Sequence, residues 1–324
     1  MAVQRTNDEQ LLLNLVRLKY RDTPFFLEVS SVASQLTLKT NASVSASLKK
    51  SVDALFGLGG GLALEERPTV TYSPLQGEKF IERVLSPISL ETIALLYHSG
   101  WSVERLVRVC LQRFNELKNA PGATGPTPQL APEYEDFLQA SQILRSLQKK
   151  GVLELALTSH KGHAALALHI DHQALEWQET RELASYFDGS PETQPYILSP
   201  VLSPDTPNHI RVESRSLLGI LFYLSQSVEV PAQDEQLGKV TVTRLPSGAP
   251  FDWKQVTGDL FRIKSQSLKP ESSAVSVYYR GAWFYIDDSD LDSKSTFSLL
   301  SQIFSLQAGK VQSTAPLLTL PVGQ

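Results

Sequence analysis

Val32-Ala33-Ser34-Gln35-Leu36-Thr37-Leu38-Lys39-Thr40-Asn41-Ala42-Ser43-Val44-Ser45-Ala46-Ser47-Leu48 alternates with period two over 17 residues. The even positions carry Val32, Leu36, Leu38, Ala42, Val44, Ala46 and Leu48; the odd ones carry Gln35, Thr37, Lys39, Asn41 and three serines. Strands of soluble proteins usually run about 3–10 residues, so this one is long. After Lys49-Lys50-Ser51 the even positions are again apolar or small: Val52, Ala54, Phe56, Leu58, Gly60, Leu62 and Leu64. Folding the chain back about Lys50 sets Leu48 opposite Val52, Val44 opposite Phe56 and Leu36 opposite Leu64, so both arms show their apolar side on one face. The pattern predicts a long β-hairpin over Val32–Leu64. Its return arm is the weaker one, because Val52, Leu55 and Phe56 also fit a helical turn, and Gly57, Gly59, Gly60 and Gly61 weaken an isolated strand.

Such a hairpin bears on function. A tilted membrane strand needs about 9–11 residues that alternate apolar-out and polar-in. Val32–Leu48 exceeds that length, and its single charge, Lys39, lies on the polar side. Two strands cannot close a barrel, and a lone hairpin in lipid leaves its edges unbonded, so insertion requires a ring of identical subunits. The alternative is a hairpin laid on its own domain or packed against a neighbouring subunit.

Around this segment the signals are of mixed type. Asn7 or Asp8 as cap, Gln10 three residues after Asn7, and Leu11, Leu12, Leu15 and Leu18 at helical spacing predict an N-terminal helix ended by Thr23-Pro24. Thr69–Tyr72 reads as a strand and Gly77–Leu85 as a short helix. Ser89 caps a helix over Leu90–His98 with Gly100 as its stop, and Ser102 caps another over Val103–Lys118. A Pro- and Gly-rich loop, Asn119–Ala131, precedes a third helix from Pro132 to Lys150. Val152–Leu157 and Ala164–Ile170 form a hairpin, and Gln173–Phe187 a helix.

Asp188–Pro207, with five prolines, reads as a linker. Beyond it come a helix at Ser216–Gln226 and strands near Lys239–Leu245, Leu260–Lys264, Ala274–Tyr279 and Trp283–Ile286. A tight turn at Arg280-Gly281 and a helix from about Ser293 to Gln307 follow. The fold class is therefore α+β, in three regions: 1–87 with the helix and long hairpin, 88–188 helical and winged-helix-like, and 189–324 mixed with antiparallel strands.

Composition narrows the function classes. The 324 residues hold 30 Lys+Arg against 34 Asp+Glu, a formal charge of −4, which argues against a general nucleic-acid binder. The single cysteine, Cys110, leaves no internal disulfide and no Cys-rich zinc site, and its apolar helical neighbours point to a buried, inert thiol. The longest apolar run, Leu217–Leu224, is well short of the roughly 20 residues of a membrane helix. The polar start Met1–Gln10 has no secretory core, so the chain as written is expected in the cytoplasm, and in the periplasm or outer membrane if a leader has been removed.

No chemistry-bearing motif is coherent. In His160-x-x-His163 and His169-x-x-His172 an extended strand would hold His163 and His169 about 20 Å apart, too far to share a metal. Asp287-Asp288-Ser289-Asp290-Leu291-Asp292 resembles a calcium loop but lacks its glycine and closing glutamate, and reads as the acidic start of the following helix. Gly57-Leu58-Gly59-Gly60-Gly61 fits no phosphate-binding fingerprint, and Ser47-x-x-Lys50 and Ser146-x-x-Lys149 lack the companion motifs of serine–lysine acyl enzymes. The expectation is no catalytic, cofactor or metal residue. The helices and hairpin over Ser89–Ile170 also match a winged-helix module, but eight basic residues there face seven acidic ones. A soluble winged-helix-like regulatory or adaptor protein is the alternative.

Glu9–Tyr20, Arg67–Gly77, Arg215-Ser216-Leu217-Leu218-Gly219 and Tyr279–Ile286 together resemble a family of uncharacterised bacterial cell-envelope proteins, many with lipoprotein leaders. The resemblance spans most of the chain and implies location and class, not mechanism; the leader and its lipid-acceptor cysteine are not part of this sequence. The resulting expectation is a non-enzymatic envelope protein that forms homo-oligomers or meets an outer-membrane or envelope partner. Its hairpin 32–64 would form an intersubunit sheet or a membrane β-barrel through Val32, Leu36, Leu38, Val44, Leu48, Val52, Phe56, Leu58, Leu62 and Leu64.

Overall fold

Ser89 sets the first element whose bounds follow directly from the sequence: its side chain accepts from the Thr92 N–H, and the helix runs Leu90–His98. The computed structural model describes residues 2–40, 62–74, 77–201 and 208–308. In chain order it holds α1 (Ala2–Lys19), β1 (Leu27–Thr40), β2 (Leu62–Pro74), α2 (Glu78–Leu85), α3 (Leu90–His98), α4 (Val103–Cys110), β3 (Leu111–Phe114) and β4 (Leu117–Lys118). There follow α5 (Glu135–Lys149), β5 (Leu153–His160), β6 (His163–Ile170), α6 (Gln178–Tyr186), β7 (Tyr196–Ser199), β8 (His209–Ser214), α7 (Leu217–Ser225), α8 (Ala232–Gln236), α9 (Lys254–Thr257), β9 (Lys264–Gln266), β10 (Val275–Tyr279), β11 (Ala282–Ile286) and α10 (Leu291–Ala308). The strands form a six-stranded mixed sheet of order β4-β3-β8-β7-β6-β5, a three-stranded antiparallel sheet β10-β11-β9, and the separate pair β1-β2. The architecture is α+β.

The apolar run of α7 is the centre of the core: Leu217, Ile220, Leu221, Tyr223 and Leu224 are all fully buried. Against it pack α1, through Leu12, Leu15 and Val16, and the end of α4. Beyond α1, Tyr20 donates to Asp234 at 2.6 Å and meets Tyr279 and Phe284 edge-on, while Asp22 accepts from Tyr279 at 2.5 Å and from Arg280 at 2.9 Å. These contacts fasten the N-terminal helix to the β10–β11 hairpin, whose Arg280-Gly281 turn has positive φ at both residues, as a two-residue type I′ turn requires.

Several expectations need correction. The helix expected over Val103–Lys118 stops at Cys110. The reason lies far along the chain: the Arg215 guanidinium, fully buried, donates to the carbonyls of Arg108, Val109, Leu111 and Asn119, so the end of α4 is capped by a side chain. Asn119 Nδ2 also donates to the carbonyls of Arg108 and Leu111, at 2.9 and 2.7 Å. With its carbonyls taken up there, the chain leaves in extended form and β3 pairs with β8. At Asn115, φ is +43° and the side chain accepts from the Arg211 N–H, which turns β3 into β4.

Two strands thus separate the second and third helices of the winged-helix-like reading, and β6 of its hairpin is bonded to β7 rather than free. The proline-rich stretch read as a linker contains β7, whose Tyr196 and Leu198 are buried and which joins β6 to β8. One sheet therefore draws strands from both sides of the 188/189 boundary. Elsewhere, α1 begins before Asn7 and Asp8, α5 starts at Glu135 rather than Pro132, and α6 starts at Gln178 after a 3-10 turn at His172–Ala174. Lys239–Leu245 makes only isolated bridges, at Arg244 to Leu130 and Pro250, because its backbone bonds go to loops. The strand expected at Leu260–Lys264 forms only from Lys264 onward, and the short helices α8 and α9 lie where the sequence predicts none.

Candidate assembly hairpin and its root

β1 and β2 run antiparallel over 14 and 13 residues, a ribbon of roughly 45 Å at about 3.4 Å per residue. Their register pairs Val32 with Val70, Leu36 with Glu66, Leu38 with Leu64 and Thr40 with Leu62, with a bulge between Val29 and Ser31. The expected pairing of Leu36 with Leu64 is therefore off by two residues. Parity is kept, because a period-two pattern determines which residues share a face but not how far the arms slide. Pairing also reaches past Val32 to Leu27 and past Leu64 to Pro74, taking in the Thr69–Tyr72 strand. Val44, Leu48, Val52, Phe56 and Leu58, the glycine run and Ser47-x-x-Lys50 lie outside the described residues.

The register gathers the charges of β2 in one band: Glu65, Glu66 and Arg67 stand opposite Thr37, Leu36 and Gln35, and Pro68 opposite Ser34. Among the described residues no third strand bonds to β1 or β2. A two-stranded ribbon by itself is marginal in water, because a strand edge without a neighbour leaves alternate amides and carbonyls facing outward.

The root of the ribbon is firmly held. Asn14, buried on α1, donates to the Phe25 carbonyl and accepts from the Phe25 N–H, both at 2.8 Å. Gln10 accepts from the Leu27 N–H, and Arg17 donates to the Thr23 carbonyl at 2.7 Å. Between them Phe26 is buried, stacked on Phe304 at 5.7 Å and edge-on to Phe80 at 5.6 Å. The ribbon thus leaves a fixed point on the α1–α2–α10 side of the body. Beside that point opens a cleft of about 460 Å³. Its apolar lining is Leu13, Phe25, Leu27, Val277, Tyr278 and Trp283, and Arg5, Glu9, Arg17 and Lys269 also line it. The Tyr278 and Trp283 rings lie 5.4 Å apart and tilted at 53°; the cleft itself has no local signature in the sequence, since its lining comes from separate elements.

The other motifs have structural partners. His160 pairs across the β5–β6 turn with His163, and its ring lies 5.0 Å from that of His209; His169 stands opposite Glu154. Among the described residues no group of three or more His, Cys, Asp or Glu could hold a metal. Asp290 caps α10 by accepting from the Ser293 N–H at 3.0 Å and binds Arg262, Asp288 binds Lys294 at 2.7 Å, and Asp292 binds Arg105 at 2.8 Å. Asp287 accepts from Ser289 and Lys264, and those bonds hold its carboxyl far below the usual range. Ser146 donates to Glu179, and Lys150 binds the same carboxylate while lying over Trp177. Burial pushes the Cys110 thiol up to about 12, and burial pulls the Lys19 ammonium down to about 8 against the opposing pull of Glu235. No helix among the described residues is long and apolar enough to cross a membrane. Comparison with known protein families, with curated proteins and with solved structures finds no match to this chain.

Proposed function

We propose that this chain is a non-enzymatic, self-assembling protein of the bacterial cell envelope whose hairpin 32–64 joins neighbouring copies in an intersubunit sheet. The membrane β-barrel is the form that sheet takes when a ring of copies closes in lipid. The observation that carries the reading is the isolation of the β1–β2 ribbon: a long antiparallel pair, anchored at its root, with no strand bonded to either edge among the described residues. Bonding one copy's outer edge to the next satisfies those edges, and ring closure removes the last two. The charged band at Glu65–Arg67 and Pro68 belongs outside hydrocarbon, which leaves the alternating stretch from Leu38 to Leu48 and its return, enough for a tilted strand of about 9–11 residues, to enter it. The envelope location is carried over from the family resemblance.

Light scattering after size exclusion tests the reading. The full chain is expected to run as a multiple of its 35.8 kDa mass in mild detergent, and deletion of residues 32–64 to return it to one copy. A single copy in buffer and in detergent, unchanged by the deletion, overturns it.

A further inference from the structure

The C-terminal end of α1 and the segment after α7 share a second cavity, of about 220 Å³, lined by Lys19 and Gln226. Both residues are buried, at 7% and 3% exposed, and each leaves a polar group unanswered. Among the described residues no acceptor bonds the Lys19 ammonium. The Gln226 amide nitrogen donates to the Phe222 carbonyl at 3.1 Å, but its Oε1 receives no donor. A buried cation or acceptor without a partner costs free energy, so two such groups lining one cavity call for a molecule that offers an acceptor to the first and a donor to the second. The other charges of the lining are largely engaged. Lys254 pairs with Glu229 at 2.9 Å, Arg262 with Asp290 at 3.2 Å, and Asp252 accepts from the Lys254 N–H at 2.9 Å. Glu235 is exposed, makes no ion pair among the described residues, and its charge is felt at Lys19. The volume is several times one water's share of about 30 Å³ and below the about 300–1,000 Å³ of sites for drug-sized ligands, so it suits a molecule of a few heavy atoms.

We propose that this cavity binds a free α-amino acid with a small apolar side chain, its carboxylate on the Lys19 ammonium and its amine donating to Gln226 Oε1. The charge of Glu235 favours a protonated amine over a hydroxyl as that donor, and disfavours a second carboxylate on the ligand. The buried rings of Trp253 and Phe261, also in the lining, receive the apolar side chain. A plain carboxylate answers Lys19 alone and a plain amine answers Gln226 alone, so recognition depends on both groups in one molecule. No residue of the cavity belongs to the hairpin, and the site is complete in a single copy.

The test is isothermal titration calorimetry of the full chain, near neutral pH, with three ligands: L-valine, isovalerate, which lacks the amine, and isobutylamine, which lacks the carboxylate. Saturable binding of valine is expected, about tenfold or more tighter than either analogue, because each analogue forfeits one hydrogen bond to a charged group. Lys19→Met keeps the buried stem and removes the ammonium, and should weaken valine and isovalerate alike by about tenfold or more. Gln226→Met should weaken valine about tenfold and leave isovalerate unchanged, a split that general damage to the fold would not produce. Valine should also change the fluorescence of Trp253, an effect lost in Trp253→Phe and kept in Trp283→Phe. If Lys19→Met does not fold, Gln226→Met and the three ligands on the parent chain still decide the matter. No saturable heat with valine overturns the proposal and leaves the two groups to ordered water. Affinity for valine no greater than for isovalerate or isobutylamine overturns it too, as does undiminished valine binding in either variant.

Discussion

Replacing Arg215 by methionine removes the guanidinium that, with the Asn119 amide, takes up the carbonyls at the end of α4, and the structure gives the size of the effect. Four carbonyls accept from its guanidinium, but those of Arg108 and Leu111 keep a second donor in Asn119 Nδ2, so only the carbonyls of Val109 and Asn119 lose this partner outright. Two buried acceptors left bare cost about 4 kcal/mol together. Loss of the contact with the Tyr223 ring, 4.0 Å away, adds about 1 kcal/mol. Against this, burial pulls the Arg215 guanidinium down to about 10, so removing the buried charge returns about 3 kcal/mol. The net is a destabilisation of about 2 kcal/mol, read as a fall in the urea midpoint by tryptophan fluorescence. The sharper prediction is coupling. Once Asn119→Ala has taken away the second donor, Arg215→Met strips all four carbonyls, so the double variant should lose more than the sum of the two single losses, by more than about 1 kcal/mol. Additive losses, or a fully stable Arg215→Met, would show that the guanidinium does not cap the helix.

Four further outcomes follow from separate parts of the molecule. Lys19 is buried with its ammonium held near 8, below its unfolded value near 10.5, so the unfolded chain binds more protons between those limits and stability should rise with pH across them, by up to about 3 kcal/mol. Thermal midpoints of Lys19→Met measured from pH 7.5 to 10.5 should lose that rise. Phe26→Ala, which empties the site between Phe80 and Phe304, should cost about 3–4 kcal/mol and loosen the hairpin root, seen as faster amide exchange at Phe25 and Leu27. Gly281→Ala forces an L side chain into φ of +88° and should cost about 1 kcal/mol by thermal melting. Cys110, fully buried and with its thiol near 12, should resist iodoacetamide in the native protein and react completely in urea; rapid native labelling would contradict its burial.

The sequence was legible where the cause of an element is local. Ser89 with the apolar run behind it determines α3 to the residue, and Arg280-Gly281 identifies the β10–β11 turn, because cap and turn act within four residues. The end of α4 was illegible because Val103–Lys118 carries a continuous helical pattern and the group that stops it, Arg215, comes more than a hundred residues later. The prolines of Asp188–Pro207 concealed β7, whose Tyr196 and Leu198 are too few to stand out and gain their strand character from β6 and β8 on either side. Val240, Thr241, Val242 and Thr243 alternate like a strand, yet among the described residues none of them belongs to a sheet, and Thr243 accepts from the Phe251 N–H in a loop. In the hairpin, parity was readable and offset was not. The root cleft, assembled from α1, the start of β1 and the β10–β11 pair, could not be read from any single window.

In the proposed assembly β1 and β2 carry open edges which a neighbouring copy closes, and hydrogen exchange on the amides of residues 28–40 and 62–73 measures this directly. In a two-stranded ladder alternate amides point outward. In dilute single copies those outward amides should exchange fast while their neighbours are protected, and on assembly in detergent the fast set should become protected too. Outward amides already protected in the single copy, or still fast in the assembly, would contradict the account.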